Sequence, residues 1–339
     1  MLLPTLFFIT LAAACTCHLL TLRVRRYLLA KQVMDTPNER SMHSVPVPRG
    51  GGLAVVATIG AGLLLLIDTT SLEPTLLLLA ALALLVTISW MDDRRSLGAG
   101  IRLATHLLAA LIGSFALDSL GGDQAMVLGG ALPFWLDRLV MILGWGWFMN
   151  LTNFMDGIDG ITGMQTACCA AGVGLLLYPL SSGEMIFPLL LAALVCGAAL
   201  GFLKMNWHPA QIFLGDVGSV PLGFVIGFLL LKLACAGHLI PALLIPLYYL
   251  ADSGITITRR ALRREKIWQP HRTHFYQRAT SGTGSPVPVV LWIAAGNVFL
   301  LGSAYGAMRN PWLGLALGVG VLGLLLAKLS LLAGTNKSS

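Results

Sequence analysis

The stretch Leu139–Gly160 reads L-V-M-I-L-G-W-G-W-F-M-N-L-T-N-F-M-D-G-I-D-G. An apolar run, Leu139–Met149, passes directly into Asn150, Asn153, Asp156 and Asp159, with Gly157 and Gly160 interleaved. Oxygen-bearing side chains at the end of a lipid-length helix are costly to bury in hydrocarbon, so they mark a site rather than a scaffold. Asp92-Asp93 and Asp216 stand at two other expected helix ends. If those ends share one membrane face, hard oxygen ligands gather beside the bilayer. An enzyme acting on the charged head group of a lipid needs such a cluster.

The rest of the chain supports a membrane setting. It is 56% hydrophobic and 11% charged, with a mean hydropathy of +0.81, which excludes a soluble globular domain. Apolar runs recur throughout, each long enough to cross roughly 30 Å of hydrocarbon. The expected fold is all-α and polytopic, with about eleven transmembrane helices. They fall near 2–22, 52–67, 75–91, 101–117, 139–155, 161–179, 185–203, 217–235, 239–257, 287–306 and 312–332. No stretch is long and polar enough for a soluble domain. Residues 1–339 are therefore expected to form a single transmembrane domain, with 259–286 as a large basic loop within it.

Charge sets the expected orientation. Alternate loops hold Arg23, Arg25, Arg26, Lys31, Arg40 and Arg49, then Arg94, Arg95 and Arg102, then Lys204, then the arginine-rich stretch from Arg259 to Arg278. The opposite loops offer Arg138 and Arg309 against Asp68, Glu73, Asp118, Asp123, Asp137 and Glu184. The positive-inside rule makes the basic loops cytoplasmic and the N-terminus periplasmic. The net charge of +7 then reflects topology and attraction to anionic membrane lipid, with no nucleic acid as partner. The first apolar segment lacks a basic n-region and is followed by its positive cluster, which fits a retained anchor better than a signal peptide. The six cysteines all fall inside spans, without zinc spacing or a disulfide framework.

Each polar motif has a plain alternative. Arg49-Gly50-Gly51-Gly52 closes a Pro-rich first loop that could be only a basic interface segment. Asp92-Asp93-Arg94-Arg95 fits a solvated ion-pair loop as well as a site, since adjacent carboxylates repel unless a cation lies between them. Asp159 could cap the next helix, but capping leaves Asn150, Asn153 and Asp156 unexplained. Asp216 and Ser219 could cap the helix after Asn206–Ser219, and Phe213 could stack on a flat ring or anchor at the interface. His271 and His274 could meet phosphate or bond within their loop; a zinc pair lacks a third ligand. Asp252 is expected to be a structural ion pair shaping the last loop, and His106 and His208 packing or interface residues. Taken together, carboxylate-bearing ends, a basic loop and glycine-rich turns suit a diphosphate bridged by Mg²⁺, which wants about six oxygens.

In this order the motifs P-x-P-R-G-G-G, D-D-R-R, N-x-x-N-x-x-D-G-I-D-G, N-x-x-P-A-x-x-F-L-G-D-x-G-S and H-R-x-H resemble the bacterial polyprenyl-phosphate N-acetylhexosamine-1-phosphate transferases. That family includes undecaprenyl-phosphate GlcNAc-1-phosphate transferase and O-antigen-initiating enzymes, and it is related to phospho-MurNAc-pentapeptide translocase. The resemblance covers nearly the whole chain. It implies Mg-dependent transfer of a sugar-1-phosphate from a UDP-N-acetylhexosamine to undecaprenyl phosphate at the cytoplasmic face of the bacterial inner membrane, releasing UMP. It implies Asp216 as the principal Mg²⁺ ligand with Asn153 second, and Mn²⁺ as a substitute metal. Asp92 and Asp93 match the catalytic aspartate pair, Asp92 activating the lipid phosphate. Asp156 and Asp159 match positions lining the nucleotide-sugar site. Asn206 and Phe213 match uridine contacts, and His271 and His274 the last-loop motif that meets sugar or diphosphate. Asn150 and Arg49 complete the substrate-binding candidates, and a homodimer is left open. H-R-T-H in place of a triple histidine argues against a MurNAc-pentapeptide substrate and for the start of an O-antigen, lipopolysaccharide or related envelope glycan. The rival class is a transporter or flippase for a phosphorylated lipid or anion. It would place carboxylates near the bilayer midplane, often with inverted repeats. A CDP-alcohol phosphotransferase would carry a D-G-x-x-A-R signature that is absent here.

Overall fold

Leu-, Ala- and Val-rich runs with few charges form helices, because in hydrocarbon only a helix or a closed barrel satisfies its own backbone. The computed structural model describes residues 2–37, 45–68, 71–95, 97–121, 125–266 and 271–335; Arg40, Asp123 and Pro270 lie outside them. Helix α1 is Leu2–Ala30, and the strands β1 (Met34–Asp35) and β2 (Val47–Pro48) pair antiparallel. There follow α2 (Gly52–Leu65), α3 (Leu72–Arg95), α4 (Ala99–Asp118), α5 (Phe134–Phe154), α6 (Ile161–Leu177) and α7 (Ile186–Asn206). The chain continues with α8 (Asp216–Cys235), α9 (Leu239–Leu244), α10 (Leu247–Leu262), α11 (Phe275–Thr283), α12 (Pro286–Ala307) and α13 (Pro311–Leu332).

Among the described residues, eight helices are long and apolar enough to cross a membrane, so the protein is an all-α, polytopic membrane protein. Three of the eleven expected spans fall outside these eight. The span at 52–67 is the 14-residue α2. The span at 139–155 lies in α5, whose 21 residues include Asp137, Arg138, Asn150 and Asn153, and these lower its hydropathy. The span at 239–257 is two helices, α9 and α10, separated at Ile245-Pro246, because proline lacks the N–H that a continuous helix would need.

Helix α8 is the axis of the bundle. Its apolar window is 94% buried, against 17% for α1 and α13, whose exposed leucines and aromatics face outward. It packs against α2, α3, α5, α6 and α9. Trp145 of α5 stacks on Phe224 at 4.9 Å and donates Nε1–H to the Phe224 carbonyl at 3.0 Å, fixing the depth of α5 beside α8. At one end, α2 meets α8 backbone to backbone at Gly52 and Gly218. A Cβ on Gly52 would stand 2.2 Å from the Gly218 Cα. Gly52→Ala is therefore expected to destabilise the protein by about 3 kcal/mol or prevent folding, since backbone cannot yield as a side chain can. Thermal unfolding in detergent checks this, and an unchanged Tm would refute the close approach.

Candidate active site

The site is built on the N-terminus of α8, whose first N–H groups need acceptors. The N-cap residue, Gly215, has no side chain to supply one, and Asp93 of α3 supplies it instead. Its Oδ1 accepts from Asp216 N at 3.2 Å and its Oδ2 from Val217 N at 3.1 Å. Gly215 must be glycine here: its φ is 75°, and a Cβ would lie 2.9 Å from Asp93 Oδ2. The first loop reaches the same place by backbone pairing. Gly50 N and Gly51 N donate to the Phe213 carbonyl at 3.1 and 2.8 Å, and Phe213 N to the Pro48 carbonyl at 2.8 Å. This delivers Arg49, whose Nη2 lies 2.9 Å from Asp93 Oδ1 and 2.7 Å from Asp216 Oδ1. Burial works against the Arg49 charge, but the carboxylates of Asp93, Asp216 and Asp35 outweigh it and hold the guanidinium more firmly protonated than usual.

Asn153, in the last turn of α5, adds a third side. Its Nδ2 donates to Asp216 Oδ2 at 3.3 Å, and its Oδ1 accepts from Ser219 Oγ at 2.7 Å. Asp92, one residue before Asp93 on α3, also comes within hydrogen-bond reach of Asp216 and is held by Arg102 Nη1 at 3.2 Å. A polar cavity between α3, α4, α5 and α8 joins Asp92, Arg102, His106, Asn150, Asn153 and Asp216. Asn150 is tied by Nδ2 to the Gly146 carbonyl at 3.0 Å. His106, expected as packing, lines this cavity with Nδ1 unpaired.

Past Phe154 the chain leaves the helix, so Asp156 and Asp159 sit on the turn before α6 rather than on a common helical face. Burial pushes the Asp156 carboxyl up to about 7, against a hydrogen bond from Thr162 and the nearby Arg49 that favour its charge. Asp159 does not cap α6, whose N-cap is Gly160; its Oδ2 accepts from His208 Nδ1 at 2.6 Å and Ala210 N at 3.1 Å. Asn206 bridges the same two loops, taking Gly160 N on Oδ1 and giving Nδ2–H to the Ile212 carbonyl, both at 3.0 Å.

The last-loop histidines are organised by Asp252. It does shape that loop, but its partners are not arginines. Asp252 is fully buried and accepts from His274 Nδ1 (3.0 Å), Phe275 N (3.0 Å), Tyr276 N (3.2 Å) and Tyr248 Oη (2.9 Å). Helix α11 is thereby capped, and Tyr276 Oη donates to the Phe154 carbonyl at 3.1 Å, docking α11 on the Asp156 turn. His271 stacks on His274 at 4.9 Å and bonds within its loop, to Thr273 Oγ1 at 2.9 Å. Burial, helped by His274 and Arg260, lowers the His271 pKa to about 4, so its ring is neutral. Asp252→Ala is expected to release α11 and raise the rate of tryptic cleavage in the 259–278 region at least about tenfold. Equal cleavage rates would show that α11 is held by packing alone.

The structure therefore brings Arg49, Asp92, Asp93, Asn150, Asn153 and Asp216 together, with Asp156 beside them. It places Asp159, Asn206 and Phe213 on an adjoining junction, and His271 and His274 on the docked α11. Sequence reading missed Arg102, His208 and the multiple bonds of Asp252. Only the spacing of Arg102 after the Asp92 pair, on the basic side of the chain, was available as a signal.

Whether this site fits Mg²⁺ is decided by its donors. Among the described residues, no three His, Cys, Asp or Glu side chains converge closely enough to enclose a metal. Magnesium takes only a few protein oxygens and leaves the rest to phosphate and water. Asp216 fits that pattern, Asn153 would join it with its amide turned so that Oδ1 replaces Nδ2, and Asp92, Asp93 and Asp216 outnumber the two guanidinium groups beside them.

Residues 75–234, which run from α3 to α8, match the model of glycosyl transferase family 4. The chain is 28% identical over 312 residues to the probable undecaprenyl-phosphate N-acetylglucosaminyl 1-phosphate transferase of Bacillus subtilis, covering 88% of this chain and 84% of that one. It is 27% identical over 357 residues to the decaprenyl-phosphate N-acetylglucosaminephosphotransferase of Mycolicibacterium smegmatis, covering 91% and 84%. It is 32% identical over 228 residues to the phospho-N-acetylmuramoyl-pentapeptide-transferase of Moorella thermoacetica, covering 60% and 67%. With the segment from α3 to α8 matching the family model, and 32% identity to the Moorella transferase over two thirds of its length, the chain belongs to glycosyl transferase family 4.

Proposed function

We propose that the protein transfers an N-acetylhexosamine-1-phosphate from a UDP-sugar to undecaprenyl phosphate, releasing UMP, to begin an O-antigen, lipopolysaccharide or related envelope glycan. The observation that carries this reading is the meeting of Asp92, Asp93, Asn153, Asp216 and Arg49 at the N-terminus of α8. Oxygen ligands and a guanidinium at a helix N-terminus suit a diphosphate, which wants both cations and N–H groups. The whole chain would act as one domain with its basic face cytoplasmic and its N-terminus periplasmic. The printed activities of the Bacillus and Mycolicibacterium relatives favour N-acetylglucosamine as the first sugar to try.

Asp216 and Asn153 would hold Mg²⁺, which when bound neutralises negative charge on the diphosphate. Arg49 grips phosphate oxygens and keeps Asp93 and Asp216 from repelling one another. Asp93 holds α8 in place. Asp92, steadied by Arg102, faces the cavity and either takes the proton of the lipid phosphate or steers its attacking oxygen onto the sugar-linked phosphorus. Asp156, poised near neutrality, and the docked His274 border the donor side. The transporter reading fits less well, because these carboxylates gather at helix ends rather than along a central pathway.

The test is a competition assay on the purified protein with undecaprenyl phosphate and Mg²⁺, offering UDP-GlcNAc, UDP-GalNAc and UDP-linked deoxy-N-acetylhexosamines. EDTA-sensitive UMP release with one sugar and formation of the lipid product is the expected result. A folded sample that turns over none of them would overturn it and return the transporter reading.

A further inference from the structure

Asp159 is held in an unusual manner. Its side chain is 14% exposed, and both hydrogen bonds it accepts fall on Oδ2, from His208 Nδ1 and Ala210 N. A carboxylate only accepts, so Nδ1 of His208 carries the proton. Oδ1 accepts nothing from the described residues. The His208 side chain is 41% exposed, so burial of its ring does not explain its place. What it does is close a junction. Asn206 ties Gly160 to Ile212 in the same two loops, and the Trp207 ring lies 3.2 Å from where a Gly160 Cβ would stand. That loop continues into Phe213 and Asp216, so the junction adjoins the diphosphate end of the site.

We propose that His208 is a positioning residue for the nucleotide half of the donor. It locks Asp159 with Oδ1 free to accept a hydrogen bond from the nucleoside, either the base imide N–H or a ribose hydroxyl. The inference rests on the transferase reading above. A carboxylate already held in its binding rotamer has less freedom to lose when the ligand arrives, so nucleotide affinity rises. The reacting phosphates lie at Asp92 and Asp216, so the chemical step is untouched.

The test compares wild type, His208→Ala, His208→Gln, Asp159→Ala and the double Ala variant. UMP affinity is measured by calorimetry in detergent, alongside KM and kcat for the UDP-sugar. His208→Ala is expected to weaken UMP binding and raise KM about fivefold to tenfold, with kcat within about twofold. His208→Gln, which keeps an amide N–H donor, restores most of the affinity. On the Asp159→Ala background, His208→Ala adds no further loss, because the pair acts as one unit. Unchanged UMP affinity in His208→Ala overturns the proposal, as do losses shared by kcat with no rescue by Gln, or losses that add. If wild type itself binds no UMP and turns over no UDP-sugar, the transferase reading falls first and this inference with it. If wild type does both and His208→Ala matches it, the positioning role alone falls.

Discussion

Asp216→Asn is expected to lower sugar-phosphate transfer about a thousandfold while leaving the protein folded and its Tm unchanged or higher. The activity loss follows from charge. An amide keeps the shape of the side chain but removes the anionic oxygen proposed to hold Mg²⁺. The unchanged stability follows from the packing. The first turn of α8 is capped by Asp93, so nothing in the helix depends on the Asp216 carboxylate. Removing one member of a crowded carboxylate group relieves repulsion rather than creating it. UMP release and thermal unfolding on the same preparation read both effects. Turnover within about tenfold of wild type would remove Asp216 from the metal site. A collapse of Tm would show that the structural and chemical roles had been wrongly divided.

Arg49→Ala is expected to damage both properties. The Asp93 side chain is only 6% exposed and would stand beside Asp216 with no cation between them. Removing one partner of a buried pair costs several kcal/mol, whereas exposed pairs contribute little. Arg49 is itself 37% exposed, so about 2 kcal/mol and a fall in Tm of about 5 °C are reasonable. Transfer should drop at least about a hundredfold through loss of a phosphate-gripping cation. The geometry adds a sharper expectation. A single nitrogen, Nη2, reaches both carboxylates, so the forked shape of arginine is not what joins them. Arg49→Lys should therefore recover most of the stability and only part of the activity. Added Mg²⁺ should raise the Tm of Arg49→Ala more than that of wild type. If Lys is no more stable than Ala, the bridge is not electrostatic.

The membrane class, the helical fold and the order of polar motifs at helix ends were legible because each depends on local composition. Gly50-Gly51-Gly52 was legible for a similar reason: a run of glycines in a loop implies close approach of backbone. Pairings across the bundle were not. Nothing near Asp93 in sequence says that its oxygens cap a helix 123 residues away. Nothing near Arg49 points to Asp216, 167 residues on. Three expected spans took other forms: α2 is as short as its sequence suggested, α5 carries polar residues that lower its hydropathy, and Pro246 divides the span at 239–257. Asp252 was judged by its arginine neighbours in sequence, whereas the fold turns it toward His274 and the start of α11.

The cap that α3 places on α8 also bears on how the protein is made. During synthesis α3 emerges well before α8, carrying a carboxylate for which Arg49 is already at hand but whose two amide partners, Asp216 N and Val217 N, come later. When α8 arrives, its bare amide groups find that carboxylate waiting, and insertion of the central helix and completion of the active centre become one event. A chain that ends before α8 thus lacks Asp216 and the capped amides, and with them the proposed centre.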